Sequence, residues 1–450
     1  MLPEDVALVI TPAHIRRTLT GPVSLSEMQG VKLLRWMNLN LMTIPGILIT
    51  PAYTDQLREA HPSLGRCFVV FTGSGMIADV VKRAKQVLEE GTARCLDVQI
   101  RARKESEWSY QITGEGTGWQ SEECFFKVDK DTLQTIARFS TLLGTISDDW
   151  KDILRDIGQK VLDSIMKESE FYADFLKGIS VAGTDAPTRV RFLVKPELHP
   201  LAFEAVLSPN REQFRMLEAP VYRRLMDNYS SAGYLFEGGP KIRTLIINAP
   251  VSGDVDGLPR PLEELSSVTA ECRWLKRRFT EAMEKFNMTT PELLSNDETV
   301  RPTPSNVKAI LASQKWSIVH FAGHSYYDTK TNEGFLFLPG ENDGEIEKVD
   351  LKRFSDWLRN TTLTYMSSCD SGTSPFVLEL AKRRIPNLIG FRWRVDDGQA
   401  FEYAKECYEN LLSSRSIEKA FLKARQEMYR RRPDSQIWAA PILIKQLDER

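Results

Sequence analysis

Two short stretches hold the residues best suited to nucleophilic chemistry. The first runs Trp316, Ser317, Ile318, Val319, His320, Phe321, Ala322, Gly323, His324, Ser325, and the second Leu363, Thr364, Tyr365, Met366, Ser367, Ser368, Cys369, Asp370, Ser371, Gly372. Each is an apolar, β-rich run that stops abruptly in small residues, the pattern of a buried strand entering a turn. His324 and Cys369 both fall at the carboxyl end of such a run. A thiol beside an imidazole makes an activated nucleophile with its general base. The pairing matters because a free cysteine, with pKa about 8.5, is only a few per cent thiolate at neutral pH. A nearby histidine raises that fraction and afterwards protonates the leaving amine.

Each residue taken singly has a plainer reading. A lone Cys369 is most simply a buried core thiol, and a lone His324 a satisfied core histidine. Their shared position at strand ends favours catalysis. His320 competes for the same part, but it lies on a strand and is followed by Phe321, so the zinc pattern His-Glu-x-x-His is not met. It is expected to be structural or to support the site from beneath.

Such residues need a sheet whose strand ends lie side by side. From residue 241 onward, short apolar runs alternate with helical patterns. Strands are read at 243–248, 316–323, 334–338, 362–367 and 387–393. Helices are read at 262–279, 304–313, 351–358, 373–384, 401–412 and 416–430. This alternation is the doubly wound α/β pattern, in which ligands bind beyond the carboxyl ends of the strands. The helix read at 373–384 would direct its positive end at Cys369 and favour the thiolate.

Before residue 241 the reading is thinner. Strands are expected at 5–11, 66–71, 96–100, 108–112, 122–127 and 189–194, and helices at 24–41, 76–90, 131–143 and 149–166. Residues 1–145 read as a small α/β domain and 146–240 as a second unit.

The two reactive stretches resemble the CHAT family of caspase-like cysteine peptidases, in the clan that also holds separase, metacaspases and gingipains. His324 precedes Cys369 by 45 residues, close to the roughly 50 of caspases, although the caspase string Gln-Ala-Cys-x-Gly is absent. The likeness continues through Ile389, Gly390, Phe391, Arg392, Trp393, Arg394, Val395, Asp396, Asp397, and through Trp438, Ala439, Ala440, Pro441. His199, Pro200, Leu201, Ala202, Phe203, Glu204 resemble the opening of the family's pseudo-caspase half, which carries no dyad. The resemblance spans about residues 152–447. It implies a caspase-like doubly wound sheet, with 146–240 as the pseudo-caspase half and 241–450 as the catalytic half.

For the site, the resemblance implies Cys369 as nucleophile, His324 as proton carrier, and the backbone amides of Ser325 and Cys369 as oxyanion donors. Asp396 and Asp397 are similar to the separase segment whose Asp lines the first specificity pocket, and Asp370 follows the nucleophile as acids often do in the family. Were Asp397 in that pocket, a basic residue before the scissile bond would be preferred. A helix-end acid is the equal alternative. No metal or other cofactor is expected. The implied partner is a particular protein substrate, a gasdermin-like pore former or another protease, in antiphage defence or regulated cell death. Residues 1–145 would hold an activating ligand or protein partner. The rival reading is a silent scaffold or sensor of the same fold.

Composition sets outer limits. The chain has 450 residues and a net charge of −2, which gives no general attraction for nucleic acid or other polyanions. No apolar run is long enough to cross a membrane. Six scattered cysteines suit a reducing, cytoplasmic setting better than a disulfide framework. The glycines at 114, 116 and 118 suit a hairpin better than a phosphate cradle. The basic clusters at 276–278 and 430–432 suit solvated helix faces.

Overall fold

The computed structural model describes residues 9–12, 46–50, 67–71, 95–102, 107–114, 120–127, 149–166, 174–175, 189–194, 199, 201–207, 214–225, 241–258, 260–328, 331, 333–358, 361–369, 371, 380 and 385–446. Strands β1 (Val9–Pro12), β2 (Gly46–Thr50) and β3 (Cys67–Phe71) form a small parallel sheet. Next come β4 (Cys95–Ala102), β5 (Glu107–Gly114), β6 (Cys124–Lys127), helix α1 (Trp150–Met166), β7 (Arg189–Val194) and β8 (Val221–Leu225). The chain continues through β9 (Thr244–Ala249), α2 (Val268–Phe286), β10 (Glu292–Leu294), α3 (Pro304–Ser313) and β11 (Trp316–Gly323). An antiparallel trio follows, β12 (Ser325–Asp328), β13 (Glu333–Pro339) and β14 (Ile346–Asp350). The last elements are α4 (Leu351–Trp357), β15 (Thr361–Ser367), β16 (Asn387–Phe391), α5 (Asp397–Ser414), α6 (Ile417–Arg431) and β17 (Pro441–Lys445).

Eleven strands make one mixed sheet in the order β10-β9-β11-β15-β16-β17-β8-β7-β4-β5-β6. The five from β10 to β16 are mutually parallel. β17 runs against β16, and β17, β8, β7 and β4 are again parallel. The middle strands are covered on both faces, which is why β9, β15, β16 and β17 are buried along their whole length and read as continuous apolar runs. The mixed α/β architecture expected from the alternation is therefore present.

Most elements begin where local chemistry says they should. Thr303 caps α3, accepting from the Asn306 amide with Pro304 at the first turn, and Ser416 caps α6 through the Lys419 amide; both are standard start signals. The αL residues Asn287 and Arg415 end α2 and α5, a stop otherwise typical of glycine.

Some expectations differ from what is found. The sequence groups residues 95–127 with 1–145, and in the structure β4 pairs in parallel with β7 from Cys95↔Arg189 to Ile100↔Val194. Three strands from the N-terminal third thus extend the central sheet. Their alternating pattern gave no clue, because alternation marks a half-buried strand without naming its partner. The helices read at 24–41, 76–90 and 131–143 lie outside the described residues, as does 373–384 apart from buried Leu380. The N-terminal strand read at 5–11 is described as Val9–Pro12. Among the described residues no helix is long and apolar enough to cross a membrane.

Candidate active site

The register of two central strands brings the reactive stretches together. β11 and β15 are parallel neighbours, and Ala322 pairs with Ser367. His324 and Cys369 each lie two residues beyond that pair, on strands roughly 4.8 Å apart. The Ser325 hydroxyl donates to the Cys369 carbonyl, which ties the two turns directly. Gly323 lets the turn form: a Cβ there would stand 2.8 Å from the Ala249 carbonyl oxygen of β9. Behind Cys369, the buried Ser371 hydroxyl bonds the carbonyls of Met366 (3.1 Å) and Ser368 (2.7 Å) and accepts from the Phe391 amide (3.0 Å). The nucleophile turn is thereby fastened to β16.

The half-buried His324 ring lies 2.7 Å, through Nε2, from the Glu263 carbonyl oxygen. A carbonyl only accepts, so Nε2 carries the proton and the neutral ring keeps its lone pair on Nδ1. That tautomer leaves Nδ1 free to take a proton. Burial is the main influence lowering the His324 pKa below its usual 6.5, and the Arg394 charge lowers it further, against the raising pull of the Glu263 carbonyl. The ring is therefore neutral, and basic, at neutral pH. The half-buried Cys369 thiol is directed at the Val395 carbonyl, 3.7 Å away.

Sequence reasoning passed over Glu263, whose carbonyl fixes the imidazole and whose carboxylate pairs with Arg394 at 2.5 Å. Nothing in a sequence flags a main-chain acceptor, since every residue offers one. The Ser325 side chain, which bonds the Cys369 carbonyl, is likewise not marked by the sequence.

The acids expected near the substrate have other tasks in view. Asp396 is the N-cap of α5, accepting from the Gln399 amide at 3.0 Å. Asp397, in the first turn of α5, accepts from the Ser267 amide at 2.7 Å, at the start of α2. Both arrangements place negative charge at a helix N-terminus, where it is stabilising. Asp370 lies outside the described residues.

His320 is wholly buried, four residues below the rim. Its Nδ1 lies 3.1 Å from the Tyr408 hydroxyl and its Nε2 3.0 Å from Glu271 Oε1, while its ring stacks on Tyr365. The same Glu271 carboxylate, on α2, accepts from Ser367 Oγ at 3.1 Å. It thus links β11 and β15 just beneath the reactive pair.

A family model described as the CHAT domain matches residues 168–446. Two solved structures of the Saccharomyces cerevisiae separase–securin complex also resemble the chain. The 3.0 Å structure shows 10% identity and a TM-score of 0.42, covering 83% of this chain and 32% of its own. The 2.6 Å structure shows 12% identity and a TM-score of 0.33, covering 84% and 23%. The chain spans about a third or less of those neighbours. No curated protein matches the sequence.

Proposed function

The chain belongs to the CHAT domain family, and from that premise we propose that it is a cysteine endopeptidase acting through Cys369 and His324. The observation that carries this reading is the β11–β15 register, with the imidazole held by Glu263 in the tautomer a general base requires. His324 Nδ1 takes the thiol proton and the sulfur adds to the scissile carbonyl. The carbonyl oxygen becomes an oxyanion held by the amides of Ser325 and Cys369. The tetrahedral adduct collapses, the amine leaves with the proton from His324, and a thioester remains on Cys369. Water attacks the thioester, its proton passing to His324, and the acid product and free thiol are released.

The substrate we envisage is a particular protein cut at few sites, such as a gasdermin-like pore former or another protease. The setting is cytoplasmic, in antiphage defence or regulated cell death. The resemblance further proposes Asp397, together with Asp396 and Asp370, as the source of a preference for a basic residue before the cut. A control element would lie in the N-terminal region. Because β4 to β6 complete the central sheet, a deletion probing that control should stop before Cys95.

An activity-based thiol probe tests the proposal. Labelling at Cys369 that disappears in Cys369→Ala and weakens strongly in His324→Ala supports it, whereas equal labelling of all the cysteines favours a silent scaffold. A proteome-wide comparison of cleavage sites, wild type against Cys369→Ala, then names the substrate and tests the basic preference together.

A further inference from the structure

The short segment leaving β16 meets the Cys369 thiol and the residue that holds His324. Arg392 is pinned by its amide to the Ala440 carbonyl at 2.9 Å. The side chain of Trp393 is buried. Arg394 pairs with Glu263, whose carbonyl holds His324. Val395 offers its carbonyl to the Cys369 thiol, and Asp396 starts α5. Whatever sets the position of this segment sets the surroundings of both reactive side chains.

Its root is held from the other half of the chain. The Arg392 guanidinium donates to Glu204 Oε2 at 2.9 Å. Glu204 sits in the short turn Phe203–Ala205, in the half that bears neither reactive residue. The carboxylate is buried, and Arg223 of β8 grips both its oxygens, at 2.5 and 2.6 Å. Arg223 in turn donates to the carbonyls of His199, at 2.7 Å, and Leu201. Burial alone would raise the Glu204 pKa, but the Arg223 and Arg392 charges outweigh it and hold the acid ionised. Burial and the Arg223 charge bring Arg392 down to about 10, so it too is charged at neutral pH.

Buried ion pairs contribute little stability compared with apolar residues of the same volume, because both charges lose their hydration. What they do impose is geometry, since a planar guanidinium meets a carboxylate in few orientations. We propose that Glu204 and Arg392 are a positioning pair through which the half of the chain before residue 241 sets the segment 392–396 against His324 and Cys369. Neither touches substrate; both act through the segment. This rests on Cys369 being the nucleophile.

The test measures, on the full chain, the rate at which iodoacetamide alkylates Cys369 across pH, with the site located by peptide mass spectrometry. Arg392→Gln breaks the bond between halves while leaving Glu204 with Arg223. It should slow Cys369 alkylation at pH 7 by about tenfold, the scale of a sub-ångström misplacement of reacting groups. Arg392→Lys, which can still reach Glu204, should fall about threefold short of wild type on the same argument. Arg191→Gln is the control for mere destabilisation, since it breaks the partly buried Arg191–Asp97 pair in the far part of the sheet. It should lower the melting temperature and leave the alkylation rate unchanged. A wild-type rate in Arg392→Gln, or equal slowing in Arg191→Gln, overturns the proposal. If Arg392→Gln does not fold, a wild-type rate in Arg392→Lys overturns it instead. Should wild-type Cys369 react no faster than Cys124, with no effect of His324→Ala, the nucleophile reading itself fails and takes the pair's role with it.

Discussion

His320 lies on β11 and His324 just past its end, four residues apart, yet one belongs to the core and the other to the rim. His320 has both ring nitrogens beside named partners, Tyr408 and Glu271, and a tyrosine ring stacked against it. His324 has one nitrogen fixed by a main-chain carbonyl and is half-buried. The contrast teaches that a histidine's usefulness depends on what its second nitrogen is left to do. A ring enclosed in the core beside a carboxylate and two tyrosines is a structural part; a ring with one nitrogen oriented and one available is a proton carrier.

That contrast can be broken most sharply at the rim. Cys369→Ala should abolish peptide cleavage, by at least about a thousandfold, while moving the melting temperature by no more than about 2 °C, since a half-buried thiol contributes little packing. His324→Ala should follow, losing about 10²- to 10⁴-fold in kcat/KM, the usual worth of a positioned acid–base group, again with near-native melting. A core-like collapse in either variant would erase the distinction.

One layer down the order reverses. His320→Ala should cost stability, about 2–4 kcal/mol in urea titration, from lost packing and an acid left buried beside it. The molecules that remain folded should keep most of their turnover. A loss of turnover matching that of His324→Ala would mean that the wrong imidazole has been chosen.

The smallest effect is read in pH. The folded His324 pKa lies below 6.5, so the acid limb of kcat/KM should fall below pH 6.5 and vanish in His324→Ala. For stability, the unfolded chain binds this proton more readily than the folded one. The destabilisation is therefore absent above pH 6.5 and grows as pH drops through the unfolded value towards the lower folded one. Wild type should lose stability in that window relative to His324→Ala.

The reactive pair was legible because the chemistry it needs sits in side chains, and because a strand ending in Gly-His-Ser or Ser-Ser-Cys announces a turn. Helix limits were legible where caps mark them, as at Thr303 and Pro304. The partners of the strands were not. Nothing in Leu96, Val98 and Ile100 says that β7, almost a hundred residues on, lies beside them. The same holds for β17, whose apolar run reads as part of a motif yet forms the antiparallel turning point of the sheet. Glu263 was invisible because its part is played by the main chain. Glu204 lies inside a motif quoted for its likeness alone, and the bonds its carboxylate accepts from Arg223 and Arg392 appear only in space.

The sheet described above has two outer margins, and both are brief. β10 has three residues and β6 has four, and at the latter margin only Phe125 is a large exposed apolar side chain among the described residues. Margins this short make poor templates for a stranger's backbone. A longer, flatter β6 would instead offer the kind of margin onto which a stranger's strand can add.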